Sequence, residues 1–218
     1  MLISYSHCFI FFHVPKSAGL SIKEALKPYS NEPQRFKIDR PPQTKGNKPN
    51  PMYDIWKASL LHVKATDVRE ELSINEFNNF YKFAFVRNPW DWQVSMYHFL
   101  KQMQYKPLDG IDSFEHYLNW VAQTKHPFPK GATKLQKDIL TDENGKLLVD
   151  FVGRYETLEK DFTHVCHFLN INAMLPNLNA TVHQDYRSYY NNYTRSLVES
   201  FCKLDIELFG YSFDGAIS

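Results

Sequence analysis

An α/β fold is predicted, with a central, mostly parallel sheet flanked by helices on both faces. Three observations carry that expectation. Apolar runs at Cys8–Phe12 and Tyr81–Val86 are each stopped by a turn containing proline. Helix-spaced apolar residues follow each run. Strands and helices then alternate along the chain, the pattern of a parallel sheet buried on both sides.

The elements follow in order. The first strand, Cys8–Phe12, ends at His13-Val14-Pro15. A small, hydroxyl-rich turn carrying Lys16 precedes an amphipathic segment that begins near Gly19. Residues 30–52 contain five prolines (Pro33, Pro41, Pro42, Pro49 and Pro51) and read as one long loop, either a lid or a plain insertion. Ser59-Leu60-Leu61 is a short apolar stretch ending at His62. Thr66 and Asp67 are placed to cap a helix running through Val68 to about Leu72. The second strand, Tyr81–Val86, is closed by Arg87-Asn88-Pro89. A helix then starts at Asp91 or a neighbour and carries Val94, Tyr97, His98 and Leu100. Further helices fit Ser113–Ala122 and Thr157–Leu169, with a strand at Leu147–Val152 between them. Thr194–Phe209 reads as one long helix through Leu197, Val198, Phe201, Leu204, Ile206 and Leu208. There is no internal repeat, and residues 1–218 are expected to form a single domain.

Composition narrows the class. A chain of 218 residues with 16% aromatics can bury a substantial core. A net charge of +1 argues against a general nucleic-acid-binding field. The three cysteines, Cys8, Cys166 and Cys202, lack the count and spacing of a disulfide framework or zinc site and are expected to be buried, reduced thiols. No membrane span or signal-peptide pattern is visible, so a soluble, cytoplasmic protein is expected, the alternative being the soluble catalytic part of something longer. The tripeptides at Asn179 and Asn192 match the glycosylation pattern, which is common by chance.

The chemistry concentrates in two loops. In the first, free N–H groups of the turn and the positive end of a helix dipole converge where a phosphate or sulfate would be stabilised. Lys16 adds a full charge there, and Ser17 and Ser21 add hydroxyls. In the second, Arg87 stands at a strand end and Ser95 lies about two turns into the next helix. A guanidinium fork and a hydroxyl on one cleft make a clamp for a terminal phosphate. Both loops leave strands at the edge where ligands of α/β sheets bind. An arginine at a strand end can equally be a surface ion pair.

Together the loops His13-Val-Pro-Lys-Ser-Ala-Gly19 and Phe85-Val-Arg-Asn-Pro-Trp-Asp91, with Ser95, resemble the two cofactor signatures of sulfotransferases that use 3'-phosphoadenosine 5'-phosphosulfate (PAPS). The likeness is to the carbohydrate branch, which has Golgi members and soluble bacterial relatives. It extends to His62–Arg69, Asp150–Glu156, Leu175–Asn179 and Asp205–Tyr211, and is poorest at 30–57 and 100–132. The resemblance implies a P-loop-like three-layer fold. It implies that Lys16, Ser17, Ala18, Gly19, Leu20 and Ser21 hold the 5'-phosphosulfate, that Arg87 and Ser95 hold the 3'-phosphate, and that adenosine 3',5'-bisphosphate is the product. Leu20 stands where the family often has a hydroxyl residue, and Trp92 where an arginine is common. Trp90 and Trp92 have two readings, stacking on adenine or packing against the sheet.

The same likeness makes His62 the candidate catalytic base. An alcohol needs its proton removed as the bond to sulfur forms, and a neutral imidazole suits that role near neutral pH. His13 is the competing choice or an orienting residue, and His183 a weaker one. Lys16 would neutralise charge building on the bridging oxygen. No metal is required by this scheme, and no HExxH or clustered Cys/His set is present. The expected acceptor is a hydroxyl compound, a saccharide by family likeness. Lys45, Lys48, Lys125, Lys130 and Lys134 could face an anionic glycan or be solvated surface charges. Two other classes stay open: a nucleotide-dependent phosphotransferase, although the GxxxxGK[ST] loop is absent, and a non-catalytic module of the same fold. Oligomeric state is not readable from the sequence.

Overall fold

The computed structural model describes residues 1–30, 41–46, 48–53, 60–129, 132–176 and 184–216. In chain order the strands are β1 (Leu2–Ser4), β2 (Phe9–Phe12), β3 (Thr44–Lys45), β4 (Lys48–Pro49), β5 (Tyr81–Val86), β6 (Phe151–Arg154), β7 (Tyr211–Ser212) and β8 (Gly215–Ala216). The α-helices are α1 (Gly19–Leu26), α2 (Ala65–Glu71), α3 (Ile74–Asn79), α4 (Pro89–Gln102), α5 (Phe114–Gln123), α6 (Lys137–Leu140), α7 (Leu158–Leu169), α8 (Asn192–Phe201) and α9 (Lys203–Phe209).

A four-stranded sheet in the order β1-β2-β5-β6 forms the centre. β2 and β5 run parallel with Phe9 opposite Tyr81, and β5 and β6 run parallel with Val86 opposite Arg154. The short edge strand β1 is antiparallel to β2. Period-2 alternation sorts the strand residues onto two buried faces. Phe9, Phe11, Phe83 and Phe85 meet Ile22 and Leu26 of α1 and Phe162 and Val165 of α7. Ile10, Phe12, Ala84 and Val86 meet Val68 of α2, Phe77 of α3, Ile139 of α6 and Phe209 of α9. This is the expected mostly parallel sheet flanked by helices. Each such Phe, Leu, Ile or Val side chain, fully buried, stabilises the fold by about 1.5–3 kcal/mol. Gly153 makes room for one of them, since a Cβ there would lie 2.5 Å from the Phe85 ring. A separate apolar cluster joins α4, α5 and α8 through Trp90, Trp92, Met96, Tyr117, Leu118 and Val198.

Several boundaries differ from the sequence expectation, each for a local reason. The third parallel strand begins at Phe151, not Leu147. Asp142 caps a tight turn that includes Gly145 at φ 79°, leaving Leu147 a single bridge to Thr141. α2 starts at Ala65 with Lys64 as its N-cap; Asp67 sits one turn in and accepts the Lys64 N–H. α3, which periodicity does not announce, carries a reciprocal Ser73/Glu76 cap whose spacing is a start signal in its own right. The long C-terminal helix is two helices broken at Cys202. Cys166 and Cys202 are buried free thiols, but Cys8 is exposed, because it lies in the β1–β2 turn at φ 50° and not in the strand. The described part of the loop at 30–52 contains the small β3–β4 hairpin. Among the described residues, no helix is long and apolar enough to cross a membrane.

Candidate active site

β2 delivers the first loop. Lys16 and Ala18 both adopt left-handed backbone, at φ 61° and 60°. For residues with a Cβ this conformation costs about 1–2 kcal/mol each, and left-handed residues in a turn are the backbone pattern from which N–H concavities are built. Ala18 is the N-cap of α1, and its methyl side chain makes no cap hydrogen bond. The helix dipole therefore adds its positive end at the same place. Gly19 is required by packing: a Cβ there would lie 1.8 Å from Cδ2 of the buried His13 ring. The hydroxyl of Ser17 is already engaged within the turn. It is buried and donates to the Val14 carbonyl at 2.7 Å, tightening the turn from within.

β5 delivers the second loop. Asn88 caps α4 by accepting the Trp90 N–H, and Pro89 supplies the fixed φ of the first helical turn. Arg87 is buried, and its Nε donates to Asp91 at 2.7 Å. Its guanidinium lies 4.0 Å from the Tyr155 ring centroid, and Nη1 reaches the Lys16 carbonyl at 3.3 Å. The ion pair foreseen as the alternative exists, but it is buried, and it aims the guanidinium at the first loop. Ser95 is fully buried, and its Oγ has no hydrogen-bond partner among the described residues. Such an orphan costs about 1–3 kcal/mol unless something satisfies it.

Trp90 and Trp92 are both buried in the α4–α5–α8 cluster, not against the sheet. Trp92 also ties the two loops together. Its Nε1–H donates to the Pro15 carbonyl at 2.7 Å, from a position where the family often has arginine.

His62 ends a 3-10 turn (Leu60–His62) beside the first loop. Its Nδ1 lies 2.8 Å from the His13 carbonyl oxygen. A carbonyl only accepts, so Nδ1 carries the proton and Nε2 of the neutral ring is left as the basic atom. Burial lowers its pKa to about 4, although the bond to His13 works the other way. His13 packs on it with ring centroids 4.6 Å apart, and burial followed by the nearby His62 holds His13 neutral too. Lys16 lies over the Phe99 ring at 4.4 Å, and its pKa is lowered to about 8, by burial first and the Arg87 charge second.

These groups line one cavity of about 470 Å³. Lys16, Ala18, Gly19, Leu20, Ser21, His62, Arg87 and Ser95 all line it, and Ser17 is not among the lining residues. Sequence reasoning misses other lining residues: Phe99, Met103, Tyr155, Leu158, Glu159, Leu175 and Pro176. Tyr155 follows β6 at the same sheet edge, so its position beyond a strand end is an available signal. The spacing of Asp91 from Arg87 is another. The others come from segments whose arrival here no local pattern announces. Of the lysines weighed for an acceptor, Lys134 donates to the Ala122 and Thr124 carbonyls and is structural, and Lys45, Lys48 and Lys125 are exposed. Lys130 and His183 lie outside the described residues. Among the described residues, no group of three or more His, Cys, Asp or Glu is placed to hold a metal.

An uncharacterized protein of Archaeoglobus fulgidus is 30% identical over 125 residues, covering 55% of this chain and 93% of that protein. No solved structure matches the chain. The model of the sulfotransferase family matches residues 1–212, spanning both loops, the His62 turn and the α9–β7 junction. With nearly its whole length in that match, the chain belongs to the sulfotransferase family.

Proposed function

We propose that this sulfotransferase moves a sulfuryl group from PAPS to a hydroxyl of a saccharide-type acceptor. The observation that carries the reading is the convergence of the Lys16 loop, Arg87 and Ser95 on a single cavity with His62 on its wall. The residues present fit the nucleotide. The orphaned Ser95 Oγ and the Arg87 guanidinium suit a 3'-phosphate, and the Cβ-free Gly19 at the start of α1 suits the 5'-phosphosulfate.

When bound, the donor supplies a sulfuryl group already activated by its mixed anhydride bond. The protein does the rest. Arg87 and Ser95 fix one end of the nucleotide, and the N–H groups of the first loop orient the other. Protonated Lys16 stabilises negative charge on the departing oxygen. His62 Nε2 takes the proton from the acceptor hydroxyl, a contribution of about 10²–10⁴ in rate. Phe99, Met96 and Leu158 give the cavity an apolar wall, and the lower polarity beside it strengthens each of these interactions. The saccharide class rests on family likeness.

The test is transfer from labelled PAPS to a panel of neutral and acidic saccharides and small alcohols, with binding measured alongside. Arg87→Ala should weaken adenosine 3',5'-bisphosphate by about 10²-fold and leave adenosine 5'-phosphate nearly unchanged. Equal affinity of the wild type for these two nucleotides would remove Arg87 and Ser95 from the proposed clamp.

A further inference from the structure

β5 leaves its ladder just where Arg87 begins. Its pairing with β2 ends at Ala84 opposite Phe12, and its pairing with β6 ends at Val86 opposite Arg154. Arg87 is nevertheless 5% exposed, so its backbone N–H and C=O need partners from elsewhere. One side chain supplies both. Gln136 Oε1 accepts the Arg87 N–H at 2.9 Å, and Gln136 Nε2 donates to the Arg87 carbonyl at 2.7 Å. The carboxamide thus stands in for one residue of a further strand, which requires a donor and an acceptor on the same planar group.

Gln136 is itself fixed. It is 2% exposed, and Asp205 of α9 accepts its N–H at 2.8 Å and that of Lys137 at 2.9 Å. The next residue along the chain is gripped independently, with the Asn88 N–H donating to Glu156 at 2.6 Å. Asp91 and Tyr155 hold the guanidinium, whereas Gln136 holds the main chain from which it projects.

Resting on the donor reading above, we infer that Gln136 is the positioning residue for Arg87. By fixing the strand end, it sets the preference of the site for a nucleotide bearing a 3'-phosphate. A displacement of Arg87 weakens a forked contact to one phosphate directly, and reaches the Lys16 loop only through the 3.3 Å bond to the Lys16 carbonyl.

The test is calorimetric titration of the full chain with adenosine 3',5'-bisphosphate and with adenosine 5'-phosphate, for wild type, Gln136→Ala and the volume-matched Gln136→Met. Both variants should lose about tenfold in affinity for the bisphosphate and less than about twofold for the monophosphate. Equal losses for the two nucleotides, or none, would overturn the inference, because a purely structural glutamine moves both alike. A wild type without preference would sink the donor reading itself, a separate outcome. Hydrogen exchange on the wild type covers the case in which neither variant folds. The bisphosphate should slow exchange of the Arg87 and Gln136 amides more than the monophosphate does, and identical protection would overturn the inference.

Discussion

Substituting Gly19 by alanine tests the site at its tightest point. Alanine is otherwise the better helix former by about 1 kcal/mol, so propensity alone favours the change. The structure reverses that sign. The added Cβ would lie 1.8 Å from His13 Cδ2 and 2.0 Å from its Nε2. Carbon contacts settle near 3.5–4.0 Å, so the ring must retreat by roughly 1.5–2 Å. It has little room, being 4% exposed and lying between Phe11 and His62. Overpacking of this kind costs about 1–3 kcal/mol, which for a chain of this length lowers Tm by roughly 2–12 °C. Displacing His13 also drags the carbonyl that orients His62, and an error near 1 Å at such a group costs about 10²-fold in rate. Thermal melts by circular dichroism and transfer rates at saturating donor measure the two effects. In a His13→Ala background the obstacle is gone, and Gly19→Ala should be neutral or slightly stabilising there. An unchanged Tm and rate for the single variant, or the same penalty in both backgrounds, would refute the steric argument.

His62→Gln should lower kcat by about 10²–10⁴ while leaving the dissociation constant of adenosine 3',5'-bisphosphate within about twofold; an unchanged kcat removes His62 as the base. Lys16 must be protonated to hold an anion, and in the free protein it loses its proton near pH 8. Nucleotide affinity should therefore fall as pH rises through about 8, up to tenfold per unit, and a flat profile between pH 7 and about 9.5 would contradict the role assigned to it. His62, with its pKa lowered to about 4, is neutral throughout that range and adds no limb of its own. Burial, the largest influence, raises the Asp205 pKa to about 7, despite the Lys137 and Gln136 N–H groups that it accepts. A raised carboxyl favours the protonated fold, so its contribution to stability is complete below about pH 4 and is lost as pH climbs to about 7. In urea unfolding, Asp205→Asn should flatten that decline, and an identical pH dependence for variant and wild type would refute it.

Much of the site is legible in the sequence because it is made of consecutive residues. The turn from His13 to Ser21 and the run from Arg87 to Ser95 each carry their chemistry and their geometry in one segment. Proline at the strand end, a good N-cap at Asn88 and helical spacing to Ser95 leave few alternatives. The two strands are legible for the same reason, as unbroken apolar runs bounded by stop signals. The misreadings lie where contacts outside the periodic pattern choose the outcome. Leu147 looks like the start of a strand until the Asp142 turn leaves it a single bridge to Thr141. The C-terminal helix looks continuous until Asp205, beyond the break at Cys202, is drawn to the start of α6.

The amino-acid order alone determined that two turns, one carrying Lys16 and one Arg87, follow two buried strands, because strand, turn and helix signals are local and act within a few residues. Only the folded chain decided how those turns are held. Trp92 on Pro15, Gln136 on Arg87 and the His13 carbonyl on His62 join residues far apart in the chain. Such pairings are set by the packing of whole elements into a dense core, which no short window of sequence encodes.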